Sequence, residues 1–252
     1  MRLCVLGSGT AIAHPRRGAS GYALRAPDGS WLLLECGPGS SRRWPKHGIR
    51  HEAVRGVLVT HHHVDHCADL AAVLFARALV APGTDTVLRL VGPQGHRAHL
   101  DALASLYGLA LEGAVGRVEV VELRDREAWS DGPFDVEARH VQHVPGALGV
   151  RVRCAGRTLA FSGDSGPCAA LVALLRGADL ALVECSYPAG RASDRHLNAF
   201  EAGRMAAEAG VGRLLLTHLY PETDAVDVVA QVRQGGYRGE VAIADDGLEV
   251  DV

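Results

Sequence analysis

The sequence has almost no lysine and no excess of basic over acidic side chains. Lys46 is its one lysine, and 26 basic residues stand against 29 acidic ones, which gives a formal net charge of −3 over 252 residues. A protein that coats DNA or RNA carries a basic excess on one face or in one segment. The charge therefore excludes general nucleic-acid coating.

Long apolar runs are also missing. No run reaches the ~18–20 residues that a membrane-spanning helix needs, and the longest candidate, Ala68 to Val80, is interrupted by Asp69 and Arg77. The first ten residues lack a long apolar core after a basic start, so we expect no export signal. These absences predict a cytoplasmic protein that makes no contact with a membrane.

Two common binding motifs are absent as well. The six cysteines are widely scattered without a C-x-x-C pair, which excludes a cysteine-based zinc ribbon and predicts reduced, buried thiols. The turn Gly7-Ser8-Gly9 lacks the third glycine of a dinucleotide-binding loop. A doubly wound nucleotide-binding fold is therefore disfavoured.

Apolar runs and turn residues predict alternating strands and helices over residues 1–252, which we interpret as a single domain. The last helix but one has Asn198 as its N-cap with Glu201 three residues later, resembling a capping box. We expect two β-layers covered by helices. The predicted strands are 3–6, 22–25, 31–35, 54–60, 87–91, 118–123, 134–140, 148–153, 158–161, 180–184, 214–217, 240–243 and 248–252. The predicted helices are 69–80 (buried and ended by Pro82-Gly83), 94–107, 169–176, 198–209 and 223–233.

Histidine is unusually frequent, with thirteen residues, four of them within 61–66. In an extended loop, alternate residues point the same way, so His61, His63 and Asp65 are predicted to converge, with His66 at the following turn. Imidazole and carboxylate bind zinc and similar metals. Four donors in six residues are dense for one ion and suit two. His62 is predicted to point away from this site.

The pattern His-x-His-x-Asp-His resembles the metal-binding motif of the metallo-β-lactamase fold superfamily. Residues 5–10 resemble its opening strand and turn, and 32–39 its second hairpin, with Glu35 where aspartate is usual. The resemblance implies an α/β fold, a four-layer αβ/βα sandwich of two mixed β-sheets flanked by helices. It also implies a metal-dependent hydrolase.

The same resemblance implies three further metal ligands. His143 precedes the strand at 148–153 and is favoured over its competitor His140, which ends the preceding strand. Asp164 follows a strand and a glycine, and His218 ends the strand at 214–217. One metal then takes His61, His63 and His143, and the other takes Asp65, His66 and His218. Asp164 bridges two divalent ions, zinc in the first instance, with manganese and iron as alternatives.

A histidine outside the ligand set indicates the branch of the superfamily. His196 stands just before the capped helix, and Glu184 ends the strand at 180–184. This arrangement resembles the ribonuclease Z and small-phosphodiesterase branch, in which such a histidine protonates the leaving group. Glu184 is predicted to orient His196 and favour its protonated form. Asp65 is predicted to orient or deprotonate the water.

The charge of this site favours an anionic substrate, because two divalent ions outweigh two carboxylates and a bridging hydroxide. We expect a phosphodiesterase in which metal-bound hydroxide attacks small or short phosphodiesters. The segment from His143 to Asp164 is too short for a tRNA-gripping arm, which disfavours RNA. Alternatives are an arylsulfatase or lactonase on the same site, a tRNA 3′-processing endonuclease without the arm, and a non-catalytic metal-dependent sensor. Relatives commonly form homodimers, and a homodimer is plausible here.

Overall fold

The computed structural model describes residues 1–80, 86–109 and 117–252. Within them the chain forms two β-sheets of seven strands each. The strands of the first sheet are β1 (Arg2–Gly7), β2 (Gly21–Arg25), β3 (Trp31–Leu34), β4 (Val54–Leu58), β5 (Leu88–Pro93), β6 (Val118–Leu123) and β14 (Glu249–Asp251). Those of the second are β7 (Ala128–Asp131), β8 (Phe134–His140), β9 (Leu148–Cys154), β10 (Arg157–Phe161), β11 (Leu180–Glu184), β12 (Arg213–Thr217) and β13 (Glu240–Ile243).

The two sheets share one plan. The first has the order β14-β1-β2-β3-β4-β5-β6 and the second β13-β12-β11-β10-β9-β8-β7. Each combines an antiparallel meander with a parallel part, which begins at β3–β4 in the first sheet and at β10–β11 in the second. Their central strands are nearly continuous apolar runs, as expected of strands covered on both faces.

The helices lie on the outer faces of the two sheets. Their bounds are α1 (Val64–Cys67), α2 (Leu70–Val80), α3 (His96–Tyr107), α4 (Ala169–Leu175), α5 (Ala199–Ala209) and α6 (Val228–Gln234), with 3₁₀ helices at Ser41–His47, His51–Ala53 and Pro221–Ala225. One core cluster joins the inner faces of the sheets, a second joins the first sheet to α2 and α3, and a third joins the second sheet to α4, α5 and α6. The predicted four-layer sandwich is confirmed.

The fold corrects four details of the sequence prediction. The helix predicted over 223–233 is two helices, because Asp227 caps α6 by accepting from the Ala230 amide and Val226 is extended. The loop after β4 is not extended throughout, since Val64 to Cys67 form α1. β7 is short and polar, and its sequence gave no strand signal.

The fourth correction concerns α2, which is buried on one face only. Phe75, Leu79 and Val80 are more than half exposed on its outer side. Its predicted end at Pro82-Gly83 lies outside the described residues. No helix among the described residues is long and apolar enough to cross a membrane.

The capping box predicted at the start of α5 is present. The Asn198 side chain accepts from the Glu201 amide, and the Glu201 carboxylate accepts from the Asn198 amide. Both orphan donors at the helix start are thereby satisfied. The cap fixes the direction in which the chain enters α5. It thereby also positions the preceding loop, which carries His196.

Candidate metal centre

Seven histidine and aspartate side chains converge at one edge of the sandwich, where the sheets meet. Four of them, His61, His63, Asp65 and His66, follow β4 of the first sheet. The other three belong to the second sheet: His143 lies between β8 and β9, Asp164 follows β10 and His218 follows β12. The ends of strands from both sheets thus supply the cluster.

The ligand atoms form two groups. Those of His61, His63, His143 and Asp164 lie within 4.8 Å of one another, and so do those of Asp65, His66 and His218. The three histidines of the first group and the three members of the second are the sets that the sequence predicted for the two ions, and Asp164 joins the first group at this spacing.

A single oxygen, Asp164 Oδ2, lies between the two groups. It is 3.7 Å from His61 Nε2 and 3.8 Å from His143 Nε2 on one side. On the other side it is 3.3 Å from His66 Nε2 and 3.5 Å from His218 Nε2. This is the position that the sequence predicted for a bridging carboxylate.

The distances between Asp164 Oδ2 and these nitrogens are those of atoms that share a bound cation, and they are long for direct hydrogen bonds. Two donors about 2.0–2.1 Å from a tetrahedral zinc ion are about 3.4 Å apart. The buried Nε2 atoms of His61, His66 and His218 have no hydrogen-bond partner among the described residues. An unpaired buried polar atom is costly, and a metal ion would satisfy all three. The donor set of imidazoles and carboxylates suits a borderline divalent metal.

Two histidines of the first sheet are held from behind by Thr60 and by Glu35, the residue that stands where aspartate is usual. Thr60 Oγ1 lies 3.0 Å from His61 Nδ1 and donates to Glu35 Oε1 at 2.5 Å. Glu35 Oε1 is in turn 3.3 Å from His66 Nδ1. Glutamate therefore reaches the outer nitrogen of His66 in place of the usual aspartate, from a backbone with φ of 63° that is uncommon outside glycine.

The histidines of the second sheet are held in the same way. His143 Nδ1 lies 2.9 Å from the carbonyl oxygen of Arg195. His218 Nδ1 lies 3.0 Å from Ser186 Oγ, which donates to Glu184 Oε2. An outer partner fixes the ring orientation and tautomer of a metal-binding histidine. Ser186 was missed in the sequence because only the packing of β11 beside β12 brings it to His218.

The charges of the side chains in this cluster favour the binding of a cation. Burial lowers the pKa of His61, His63 and His143, which keeps these imidazoles neutral. Burial raises the pKa of Asp164, but His218 and His66 outweigh it and hold that pKa well below its usual range. Burial lowers the pKa of His66, but the charges of Asp164 and Glu35 outweigh it and raise that pKa well above its usual value. Neutral imidazole and ionised carboxylate are the forms that bind metal, so an ion at His66 would displace a proton.

His196 lies beside the cluster, held by Glu184. Its Nδ1 is 3.0 Å from Glu184 Oε1 and 3.9 Å from Asp164 Oδ2. Burial lowers the pKa of His196, but the hydrogen bond and charge of Glu184 outweigh it, and the pKa is raised above its usual value. Because Nδ1 is engaged, Nε2 is the nitrogen left to act on a substrate.

Glu184 is fully buried and accepts two further backbone hydrogen bonds. The Ser165 amide donates to Oε1 at 2.7 Å and the Leu197 amide to Oε2 at 3.1 Å. A buried carboxylate needs such partners, because water does not reach it. Glu184 thereby joins the loop after Asp164 to the loop carrying His196.

The remaining histidines of the motif region lie elsewhere. His62 faces away from the cluster, as predicted, and stacks on His99, while its Nε2 lies 3.0 Å from His96 Nδ1. His140 ends β8, is exposed, and its amide donates to Asp125. The structure brings His143, and not His140, to the other donors.

Gly163 determines how closely the backbone before Asp164 packs against the cluster. Its φ is +56°, and a Cβ at this position would lie 2.6 Å from the Leu148 carbonyl oxygen and 2.9 Å from Thr60 Oγ1. A larger residue is excluded by both conformation and space. The glycine thus lets the loop after β10 pass close to Thr60, which supports His61.

A matched pair of histidine variants tests the choice of His143 over His140 as a metal ligand. We expect His143→Ala to lower the zinc content of the purified protein by roughly one ion per chain, because one of the two groups loses a neutral imidazole donor. His140→Ala should retain the wild-type content. Plasma emission spectrometry after dialysis measures both. Equal loss in the two variants, or loss only in His140→Ala, contradicts the assignment.

Several known proteins are similar to this chain in sequence or in fold. A family model described as "Beta-lactamase superfamily domain" matches residues 30–219. An uncharacterized protein of Mycobacterium tuberculosis, Rv1339, is 34% identical over 99% of this chain and 92% of its own length. A ribonuclease Z of Mycobacterium sp. strain KMS is 28% identical over 97% of this chain and 90% of its length.

A solved structure gives the same result for the fold. The metallo-β-lactamase fold protein YhfI from Bacillus subtilis superimposes with a TM-score of 0.82 at 25% identity. The match covers 99% of this chain and 98% of YhfI.

Proposed function

The chain belongs to the metallo-β-lactamase fold superfamily, in its ribonuclease Z-like branch, and from this premise we propose that it is a metal-dependent phosphodiesterase for small or short phosphodiesters. The observation that carries the proposal is the Glu184–His196 pair beside seven converging metal donors. A phosphodiester with a basic leaving group needs a proton at the departing oxygen, and this pair is built to deliver one.

We propose that His61, His63 and His143 hold one divalent ion, that Asp65, His66 and His218 hold the other, and that Asp164 contacts both. Zinc is the metal that these donors suit first, with manganese and iron as alternatives. When bound, two such ions lower the pKa of a water molecule and offset the charge that develops on the phosphoryl oxygens.

The residues of this chain supply the rest of the chemistry. Asp65, whose Oδ2 lies 3.4 Å from His218 Nε2, orients the attacking water. His196 donates its Nε2 proton to the leaving oxygen, while Glu184 holds the ring and stabilises the imidazolium before transfer. Because the proton moves as the bond to phosphorus breaks, the pair assists the step in which the leaving group departs.

Small substrates are favoured over tRNA by the segment between His143 and Asp164. These residues contain only the hairpin β9–β10, with its turn at Ala155-Gly156. No side arm extends from this hairpin to grip an RNA. A cytoplasmic homodimer remains a prediction, as does the assignment of residues 1–252 to one catalytic domain.

Hydrolysis of bis(p-nitrophenyl) phosphate by zinc- or manganese-loaded protein tests the proposal. We expect turnover that a chelator removes, that added metal restores, and that Asp65→Asn loses. Cyclic nucleotides and short RNAs would then separate substrate classes. Protein that holds about two ions per chain but hydrolyses no phosphodiester contradicts the proposal. Sulfate esters and lactones would then be tested, and inactivity on these would favour a metal-dependent sensor.

A further inference from the structure

Two tyrosines stand next to His196 and have no part in the chemistry described so far. Tyr220 follows His218 and β12, and its ring centroid lies 6.3 Å from that of His196 and 5.9 Å from that of His218. Tyr187 follows β11 and packs on Tyr220 at 5.1 Å and on His196 at 5.9 Å. The two rings form an aromatic wall on the His196 side of the cluster.

Tyr187 forms the buried part of this wall, and Tyr220 forms the part that is accessible to a substrate. Tyr187 is only 8% exposed, and the guanidinium of Arg191 lies 3.8 Å from the centroid of its ring. Tyr220 is partly exposed, so part of its ring surface is accessible. Tyr220 also caps the start of the 3₁₀ helix Pro221–Ala225, where Asp224 is bound by His14 and Arg16 of the loop after β1. These contacts hold the backbone that carries Tyr220, and its ring packs on Tyr187.

The wall carries no net charge. Arg191 Nη1 lies 2.6 Å from both carboxylate oxygens of Glu222, so the charge of Arg191 behind Tyr187 is neutralised by an anion. A subsite for a second phosphate would instead present unpaired cationic donors. Aromatic faces without net charge are suited to a flat, uncharged ring.

The wall lies beside His196, and this position determines which part of the substrate contacts it. His196 is the proton donor, so the departing oxygen must lie within hydrogen-bond reach of it. The group attached to that oxygen then lies against Tyr220. We propose that Tyr220, backed by Tyr187 and the Arg191–Glu222 pair, binds an uncharged aromatic ring on the leaving group of the phosphodiester. This proposal rests on the phosphodiesterase function.

A pair of substrates that differ only in this ring tests the proposal. The first is a dinucleoside monophosphate, and the second is its analogue with an abasic ribose on the leaving side. Both release the same ribose oxygen, so the chemical demand on His196 is equal. We expect wild-type protein to show roughly tenfold higher kcat/KM for the substrate with the base, since stacking on one aromatic side chain has this order of effect.

Three variants separate the ring of Tyr220 from its hydroxyl and from a role in folding. Tyr220→Leu should bring the ratio of the two kcat/KM values close to one by lowering only the value for the base-bearing substrate. Tyr220→Phe and Tyr220→Trp should keep the wild-type ratio.

Five outcomes would overturn the proposal, and they point to four different errors. If wild-type protein cleaves both substrates equally, or if Tyr220→Leu keeps the preference, Tyr220 does not bind the leaving group. If Tyr220→Phe loses the preference, the hydroxyl is responsible. If Tyr220→Leu and Tyr220→Trp both lose all activity, the role is structural. Wild-type protein that cleaves neither these substrates nor bis(p-nitrophenyl) phosphate shows that the phosphodiesterase function itself is wrong.

Discussion

Asp164→Asn is expected to lower kcat/KM on bis(p-nitrophenyl) phosphate by at least about a thousandfold. Its Oδ2 lies 3.3–3.8 Å from the Nε2 atoms of four histidines, two in each donor group. The variant loses a negative charge that both ions would share, so both metal affinities should fall. Two-metal stabilisation contributes several kcal/mol to such reactions, and about 4 kcal/mol corresponds to a factor of a thousand.

The control is Asp135→Asn, which makes the same change at an exposed position on β8, where Ser130 donates to the carboxylate. Activity and metal content should both stay at the wild-type level in this variant. For Asp164→Asn, retention of two tightly bound ions together with full activity would show that this carboxylate is not a shared ligand.

His196→Ala is expected to slow hydrolysis of a phosphodiester with a poor leaving group by about 10²–10⁴-fold, the usual contribution of a positioned acid. Metal content should stay at the wild-type level, because Nδ1 of His196 is occupied by Glu184. The loss should be much smaller with p-nitrophenyl esters, whose leaving group departs without a proton. Equal loss on the two kinds of ester would contradict the acid role.

The pH dependence follows from the same pair. The pKa of His196 is raised, despite its burial, by Glu184. His196 must be protonated to act, so turnover on the poor leaving group should fall as pH rises through this pKa. Glu184→Gln removes the negative charge and lowers the pKa, so the fall should begin at lower pH. The dependence of kcat on pH measures the shift. An unchanged profile would show that Glu184 does not raise the pKa of the proton donor.

The sequence alone predicted most of the strands and the donors, for two reasons. The strands are apolar runs bounded by glycine, proline and aspartate, which is a local signal. His61 to His66 were found by their spacing, which is also local. His143, Asp164 and His218 are each ordinary residues in their own segments, and only a resemblance to a known fold connected them.

Features that depend on tertiary contacts were not predicted. Ser186 and Thr60 are small polar residues beside strands, and nothing nearby in the sequence marks them as partners of His218 and His61. The short helix α1 interrupts the predicted alternation, so Asp65 reaches its group from a helical turn. Helix 223–233 divides because Asp227 caps a new helix, a preference that competes with continuing the old one.

Because the metal donors come from both sheets, metal binding should lengthen the lifetime of the protein. Ions bound at this edge would fasten β4 of one sheet to β10 and β12 of the other, and an unfolded chain would lose that arrangement. Free metal at a hundred times its dissociation constant adds about 2.7 kcal/mol to the stability of a folded state that alone binds it. Metal-starved chains would therefore open more often and be degraded sooner, so the amount of this protein would follow the supply of metal.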